Sequence, residues 1–132
     1  MTRHIDALTN LNKLIAEKEH EPFQWGTWDC CIFAADIVLA MTGEDQISEF
    51  RDAYDSKYTA MVALRELGSG TLYETIRSKL GDPIPLTRAR RGDIVFQKKN
   101  CGVCLGSLSA FLSEDGIILS DTKFVDAIFP IR

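Results

Sequence analysis

Apolar residues recur at helical spacing through the first two thirds of the chain. Over residues 5–19 an apolar residue returns every three or four positions between Asn, Lys and Glu, which predicts an amphipathic helix. Residues 30–42 repeat the spacing and predict a second helix. Shorter stripes predict helices over residues 60–67 and 71–80, and the polar segment 45–58 predicts a loop or short helical turns.

The pattern changes after Pro85, because short runs rich in β-branched residues replace the helical stripes. Glu114-Asp115-Gly116 is typical of a hairpin turn between two of these runs. Helices followed by an antiparallel sheet predict an α+β domain, and a length of 132 residues predicts a single domain over residues 1–132. The predicted strands cover residues 92–96, 102–106, 108–112, 116–119 and 125–131.

Charge and hydropathy narrow the classes of function. The net charge of -4 argues against nucleic acid as an obligate partner, because phosphate binding requires an excess of Lys and Arg on one face. No stretch approaches the roughly 18 apolar residues of a membrane span, and the N-terminus lacks the apolar core of a signal peptide. We therefore expect synthesis in the cytoplasm, where the four cysteines are free thiols, metal ligands or a nucleophile.

The strongest chemical candidate is Cys30, which opens the second predicted helix. Gly26 and Asp29 precede it and are typical of a turn followed by a helix cap. Backbone N–H groups at a helix start favour a thiolate, whereas the carboxylate of Asp29 next to the thiol opposes it. Cys31 lies about 100° further around the helix, which predicts that it points into the core.

Three segments resemble the NlpC/P60 cysteine hydrolases. Residues 29–33, D-C-C-I-F, resemble the D-C-S-G-F segment of that family, and residues 91–96 are similar to its P-G-D-L-V-F strand. Residues 102–106 resemble the strand H-V-G-I-Y-L-G that follows, so the resemblance covers about residues 23–112 in the same order. It implies a papain-like α+β fold with Cys30 as the nucleophile. The sequence around Cys30 most closely resembles that of small relatives from phage and prophage tail gene regions.

The resemblance places Asn100 at the position of the family's general-base histidine. An amide does not titrate near pH 7, so Asn100 cannot take the thiol proton and return it to a leaving group. The two histidines, His4 and His20, both precede Cys30, whereas the family's base follows it. Without a base, we expect Cys30 to react with an alkylating reagent no faster than free cysteine.

These observations predict a phage- or prophage-derived, tail-associated protein with an NlpC/P60-like scaffold that has lost hydrolysis. The implied partners are phage tail proteins or cell-wall peptide, the implied location is the virion tail, and no cofactor is expected. The alternative is an active hydrolase of cell-wall peptide or another amide that uses Cys30 with a non-standard base.

The remaining candidates each have a structural alternative. Trp25, Trp28 and Asp29 are candidate binding residues, although aromatic residues that close one end of a core are commoner. Cys101 and Cys104 have the C-x-x-C spacing of zinc and redox sites. In a strand, however, residues three apart face opposite sides, so Cys104 should face the same side as Asn100, and Cys101 the other side. No metal site is predicted.

Overall fold

Four α-helices precede five β-strands in the computed structural model, which describes residues 2–132. A short 3-10 turn at Leu86–Arg88 precedes the first strand, and another at Thr122–Phe124 lies between the fourth and fifth strands. The α+β class predicted from the sequence is confirmed. The helices are α1 (Ala7–Lys18), α2 (Cys30–Thr42), α3 (Lys57–Glu66) and α4 (Leu72–Leu80), and the strands are β1 (Ile94–Gln97), β2 (Asn100–Cys104), β3 (Leu108–Ser113), β4 (Gly116–Asp121) and β5 (Ala127–Phe129).

The strands form one antiparallel sheet in the order β4-β3-β2-β1-β5. β1 to β4 follow one another as a meander, and β5 returns along the free edge of β1. Lys98 and Lys99 join β1 to β2 in left-handed backbone conformations, with φ of 47° and 66°. This tight turn lets Asn100 pair with Gln97, so β2 begins two residues earlier than predicted. Two lysines lack the Asn-Gly signature of such turns, which explains the error.

The helix α2 lies at the centre of the molecule. Eight of its 13 residues are buried, and helices that are apolar on most sides occupy cores. Phe33, Ile37 and Met41 are fully buried in one cluster with Leu11 of α1 and Val103 of β2. The helix therefore connects α1 to the inner face of the sheet.

The ends of α2 follow from cap chemistry. The carboxylate of Asp29 accepts a hydrogen bond from the backbone N–H of Ile32 at 3.0 Å. Gly43 ends the helix in the left-handed conformation, with φ of 79°, and its N–H donates to the carbonyl of Leu39. The predicted bounds, residues 30–42, are confirmed.

The helices α3 and α4 form a separate wall beside α2. Ser56 and Thr59 make a reciprocal capping box, so α3 begins at Lys57 rather than at residue 60 as predicted. The turns between α2 and α3 are held by Arg51, which bonds Asp36 of α2 at 2.8 Å and Asp45 at 2.9 Å. These ion pairs hold the segment between α2 and α3 in place.

Asp93, just before β1, binds four other residues. Its buried carboxylate accepts from the backbone N–H groups of Arg90, at 2.8 Å, and Ile131, at 3.0 Å. It also pairs with the guanidinium groups of Arg3 at 3.3 Å and Arg132 at 2.9 Å. Asp93 is therefore structural.

No helix within residues 2–132 is both long and apolar enough to cross a membrane.

Candidate active site

Cys30 is the first residue of α2, and Asp29 fixes the turn that presents it. The Asp29 carboxylate is buried and accepts hydrogen bonds from the backbone N–H of Gly26 at 3.0 Å and from the Tyr54 hydroxyl at 2.5 Å. Gly26 has a positive φ of 80°, and a Cβ there would lie 2.2 Å from the Tyr54 carbonyl oxygen. Only glycine fits this approach, which brings the segment after α2 against the turn.

Cys101 of β2 brings a second thiol to Cys30. Its side chain packs in the cluster that contains α2, and its Sγ donates a hydrogen bond to the Cys30 carbonyl oxygen at 3.1 Å. Cys104 packs with Val95 and Phe111 on the opposite side of the sheet. The predicted alternation of faces is confirmed, and it separates the two cysteines of the C-x-x-C segment.

Cys31 completes a cluster of three thiols. The prediction that it points into the core is wrong, because Cys31 is half-buried and lines a cavity together with Cys30 and Cys101. The cavity extends around the first turn of α2, so a rotation of about 100° leaves Cys31 beside it. The three thiols are close enough to shift one another's pKa values.

The two neighbouring thiols favour the thiolate of Cys30. The neighbouring thiols of Cys101 and then of Cys31 hold the pKa of Cys30 well below its usual range, although burial opposes this shift. The pKa of Cys101 is raised by the neighbouring thiols of Cys30 and then of Cys31, and by burial. For Cys31, the neighbouring Cys101 lowers the pKa, but Cys30 and burial outweigh this effect, so the pKa is raised.

The sequence alone did not predict this direction of the pKa shift, and the ordinary alkylation rate expected for Cys30 stays a prediction. That expectation considered a histidine, the helix start and the neighbouring carboxylate as the groups acting on the thiol. It omitted the two neighbouring thiols.

Asn100 does not lie at the position where a general base would contact Cys30. It is the residue before Cys101 on β2, so its side chain lies on the other face of the strand, and it does not line the cavity. Its Oδ1 is buried and accepts no hydrogen bond from any group in residues 2–132. The structure therefore separates Asn100 from Cys30 and places Cys101 there instead.

The two histidines lie elsewhere. The backbone N–H of His4 donates to the Met41 carbonyl and its ring adjoins Gly43, at the end of α2 opposite Cys30. The 13 residues of α2 separate these ends by about 18 Å. The side chain of His20 is 92% exposed and lies 3.2 Å from the Glu19 carboxylate. Neither imidazole lines the cavity, so Cys30 has no histidine partner.

The cavity beside the thiols has a volume of about 710 Å³ and lies between α2, the α3–α4 wall and the sheet. This size is ordinary for a ligand site. Its lining is mostly apolar and includes Val38, Met61, Leu64, Ile76 and Phe96. The side chains of Lys57 and Lys99 also contribute to the lining.

The two tryptophans have different positions. Trp25 is partly exposed and lines the cavity, so its binding role stays a prediction. Trp28 is only 2% exposed and packs edge-to-face on Phe33, with ring centroids 5.6 Å apart. Trp28 therefore belongs to the core, and Asp29, also a candidate binding residue, supports the turn.

The thiol cluster is not a ready metal site. Among residues 2–132, no group of three or more His, Cys, Asp and Glu side chains is arranged to hold a metal ion. Cys104 lies across the sheet from the other three thiols, so the C-x-x-C segment cannot converge on one ion in this fold.

A family assignment accompanies this geometry. Residues 2–131 match the model of a family described as a domain of unknown function, DUF6950. The chain belongs to this family. The match covers the helices, the sheet and all three clustered thiols, so the candidate site lies within the family's domain. No curated protein matches the chain.

Two site residues were not recognised from the sequence. The first is Cys101. The alternation along β2 predicts that Cys101 and Asn100 face opposite sides, but no sequence pattern indicates which face of β2 meets Cys30. Tyr54 lies in the polar segment between α2 and α3, where no periodicity predicts its contact with Asp29.

Proposed function

We propose that the protein is a phage- or prophage-derived, tail-associated binding module with the scaffold of an NlpC/P60-like, papain-type hydrolase. In this proposal its cavity binds a cell-wall peptide without cleaving it. The observation that carries the proposal is the environment of Cys30, which contains two further thiols and no imidazole. The tail association rests on the resemblance of the segment around Cys30.

The arrangement of elements supports the papain-type scaffold. A cysteine opens a buried helix, the Gly92-Asp93 segment leads into the strand that follows the helices, and the next strand crosses the start of that helix. This is the order of parts that the resemblance implies. The chain departs from the family's pattern at one position. The residue of β2 that contacts Cys30 is Cys101, whereas in the family a histidine makes this contact.

The chemistry of amide hydrolysis explains why this departure matters. After a thiolate attacks an amide, the leaving amine must receive a proton, and a water molecule must later lose one. An imidazole performs both transfers near pH 7. The thiols of Cys31 and Cys101 have raised pKa values and hold their protons, so they are poor substitutes.

A second candidate function is an active cysteine hydrolase. The observation in its favour is the lowered pKa of Cys30 at the start of α2, where backbone N–H groups could also stabilise an oxyanion. In this case an unrecognised group, or water, would protonate the leaving amine.

Binding and cleavage assays with defined cell-wall peptides distinguish these functions. We expect calorimetric titration to show binding, and mass spectrometry of the same mixtures to show intact peptide. Cleavage that disappears in Cys30→Ser but persists in the control Cys104→Ser would establish the hydrolase instead.

A matched pair of variants tests whether the cavity is the binding site. Met61 of α3 lines the cavity and is 50% exposed, and Leu119 of β4 is 56% exposed and does not line it. Met61→Trp should weaken peptide binding at least about tenfold, a loss of about 1.4 kcal/mol, and Leu119→Trp should not. Absence of binding by the wild-type protein, or equal binding by both variants, would contradict the proposal.

A further inference from the structure

We propose that Cys30 and Cys101 form a hydroperoxide-reducing thiol pair, for which the apolar cavity is the entry site of an organic hydroperoxide. This activity is independent of the peptide binding proposed above. Three thiols meet where one helix start packs on one strand, and all three line the cavity. No step of amide hydrolysis accounts for the second and third thiols.

The geometry selects Cys101 as the partner of Cys30. Its Sγ approaches Cys30 from the facing strand and is within 3.1 Å of the Cys30 carbonyl oxygen. Cys31 is adjacent in sequence, and consecutive Cα atoms lie about 3.8 Å apart, less than the roughly 4.4 Å at which ordinary disulfides begin. Cys104 faces the other side of the sheet.

The reaction is balanced by the two thiols and the peroxide. The Cys30 thiolate attacks the outer oxygen of the hydroperoxide, an S–O bond forms, the O–O bond breaks, and the alkoxide takes a proton from solvent to leave as an alcohol. Cys101 then attacks the Cys30 sulfur, an S–S bond forms, the S–O bond breaks, and hydroxide leaves as water with the Cys101 proton. Two thiols are oxidised and one peroxide is reduced. An external dithiol regenerates the pair by thiol–disulfide exchange.

The shape and lining of the cavity favour an organic substrate over hydrogen peroxide. About 710 Å³ of mostly apolar space adjoins the thiols, and it offers an alkyl or aryl group favourable burial. Hydrogen peroxide has no apolar group that such a lining could bury favourably. The preference should therefore appear as a faster reaction with the organic peroxide, relative to free cysteine.

Single-turnover oxidation of the full chain tests the proposal. The reduced protein is mixed with one equivalent of cumene hydroperoxide, remaining thiols are counted under denaturing conditions, and cross-linked peptides are mapped by mass spectrometry. We expect loss of two of the four thiols, a Cys30–Cys101 disulfide, and a rate at least about tenfold above free cysteine. With hydrogen peroxide the excess over free cysteine should be smaller.

Three variants sharpen the test. Cys30→Ser should abolish the fast reaction, and Cys101→Ser should leave a sulfenic acid on Cys30 that a 1,3-dione reagent captures. Cys104→Ser is the control and should react like the wild-type protein. A wild-type rate equal to that of free cysteine, or a disulfide that includes Cys104, would overturn the proposal. An equal or larger excess with hydrogen peroxide would overturn the role of the cavity.

Discussion

At the scale of single residues, the site depends on which groups surround one sulfur. Cys30 has two thiol neighbours that lower its pKa, whereas Asn100 lies on the other face of β2 and does not line the cavity. A thiolate without a nearby proton carrier is a good nucleophile, but it is inefficient at completing amide hydrolysis. Reactivity and hydrolysis are therefore separate properties of this site.

The position of Cys30 depends on Asp29 and on the hydroxyl that binds it. Tyr54→Phe removes the donor 2.5 Å from the Asp29 carboxylate and leaves a buried acceptor short of one partner. We expect a loss of about 1 to 3 kcal/mol in the free energy of unfolding, measured by urea denaturation. Tyr58→Phe, at an exposed tyrosine on α3, is the control and should change it by less than about 0.5 kcal/mol. Equal effects would show that the hydrogen bond has no special importance.

At the scale of elements, α2 organises both the core and the site. Its first turn carries Cys30 and Cys31, and its later turns fill the space between α1 and the sheet. Loosening the packing of α2 should therefore disturb the thiol cluster as well as stability.

Phe33 provides the test of this packing. Phe33→Ala replaces a fully buried ring one turn from Cys30 and should cost about 3 to 5 kcal/mol of unfolding free energy, because a cavity remains. Leu39→Ala changes a partly exposed residue of the same helix and should cost less than about 1 kcal/mol. Thermal or urea denaturation followed by circular dichroism measures both values. Similar losses for the two variants would contradict the central position assigned to α2.

The elements also show what sequence patterns can and cannot predict. The bounds of α2 could be predicted because Asp29 and Gly43 are strong cap residues at both ends of a nearly continuous apolar run. β2 begins earlier than predicted because Lys98 and Lys99 form its turn without the usual residues. The contact of Cys101 with Cys30 depends on which face of β2 packs on α2, which no local pattern specifies.

At the scale of the whole molecule, Asp93 connects segments that are distant in sequence. Its carboxylate bonds Arg3 before α1, Arg90 before β1, and both Ile131 and Arg132 after β5. These contacts hold the first and last described segments against the sheet.

Asp93→Asn keeps the size of the side chain and removes its charge, which leaves two arginines without their counter-ion. Because the carboxylate is buried but both guanidinium groups are partly exposed, we expect a loss of about 1 to 3 kcal/mol of unfolding free energy in urea denaturation. Asp82→Asn is the control, since Asp82 is exposed and its ion pair with Arg77 lies on the surface. A loss below about 1 kcal/mol for Asp93→Asn would show that the cluster does not hold the fold together.

The most direct test of the account is the pH dependence of Cys30 alkylation, followed by mass spectrometry of the labelled peptide. Alkylation requires the thiolate, so its rate falls as the pH drops through the pKa of Cys30. We predict a midpoint below the value of about 8.5 for free cysteine, and a midpoint that rises in Cys101→Ala but not in Cys104→Ala. A wild-type midpoint at or above about 8.5, unchanged in Cys101→Ala, would contradict the thiol-supported site.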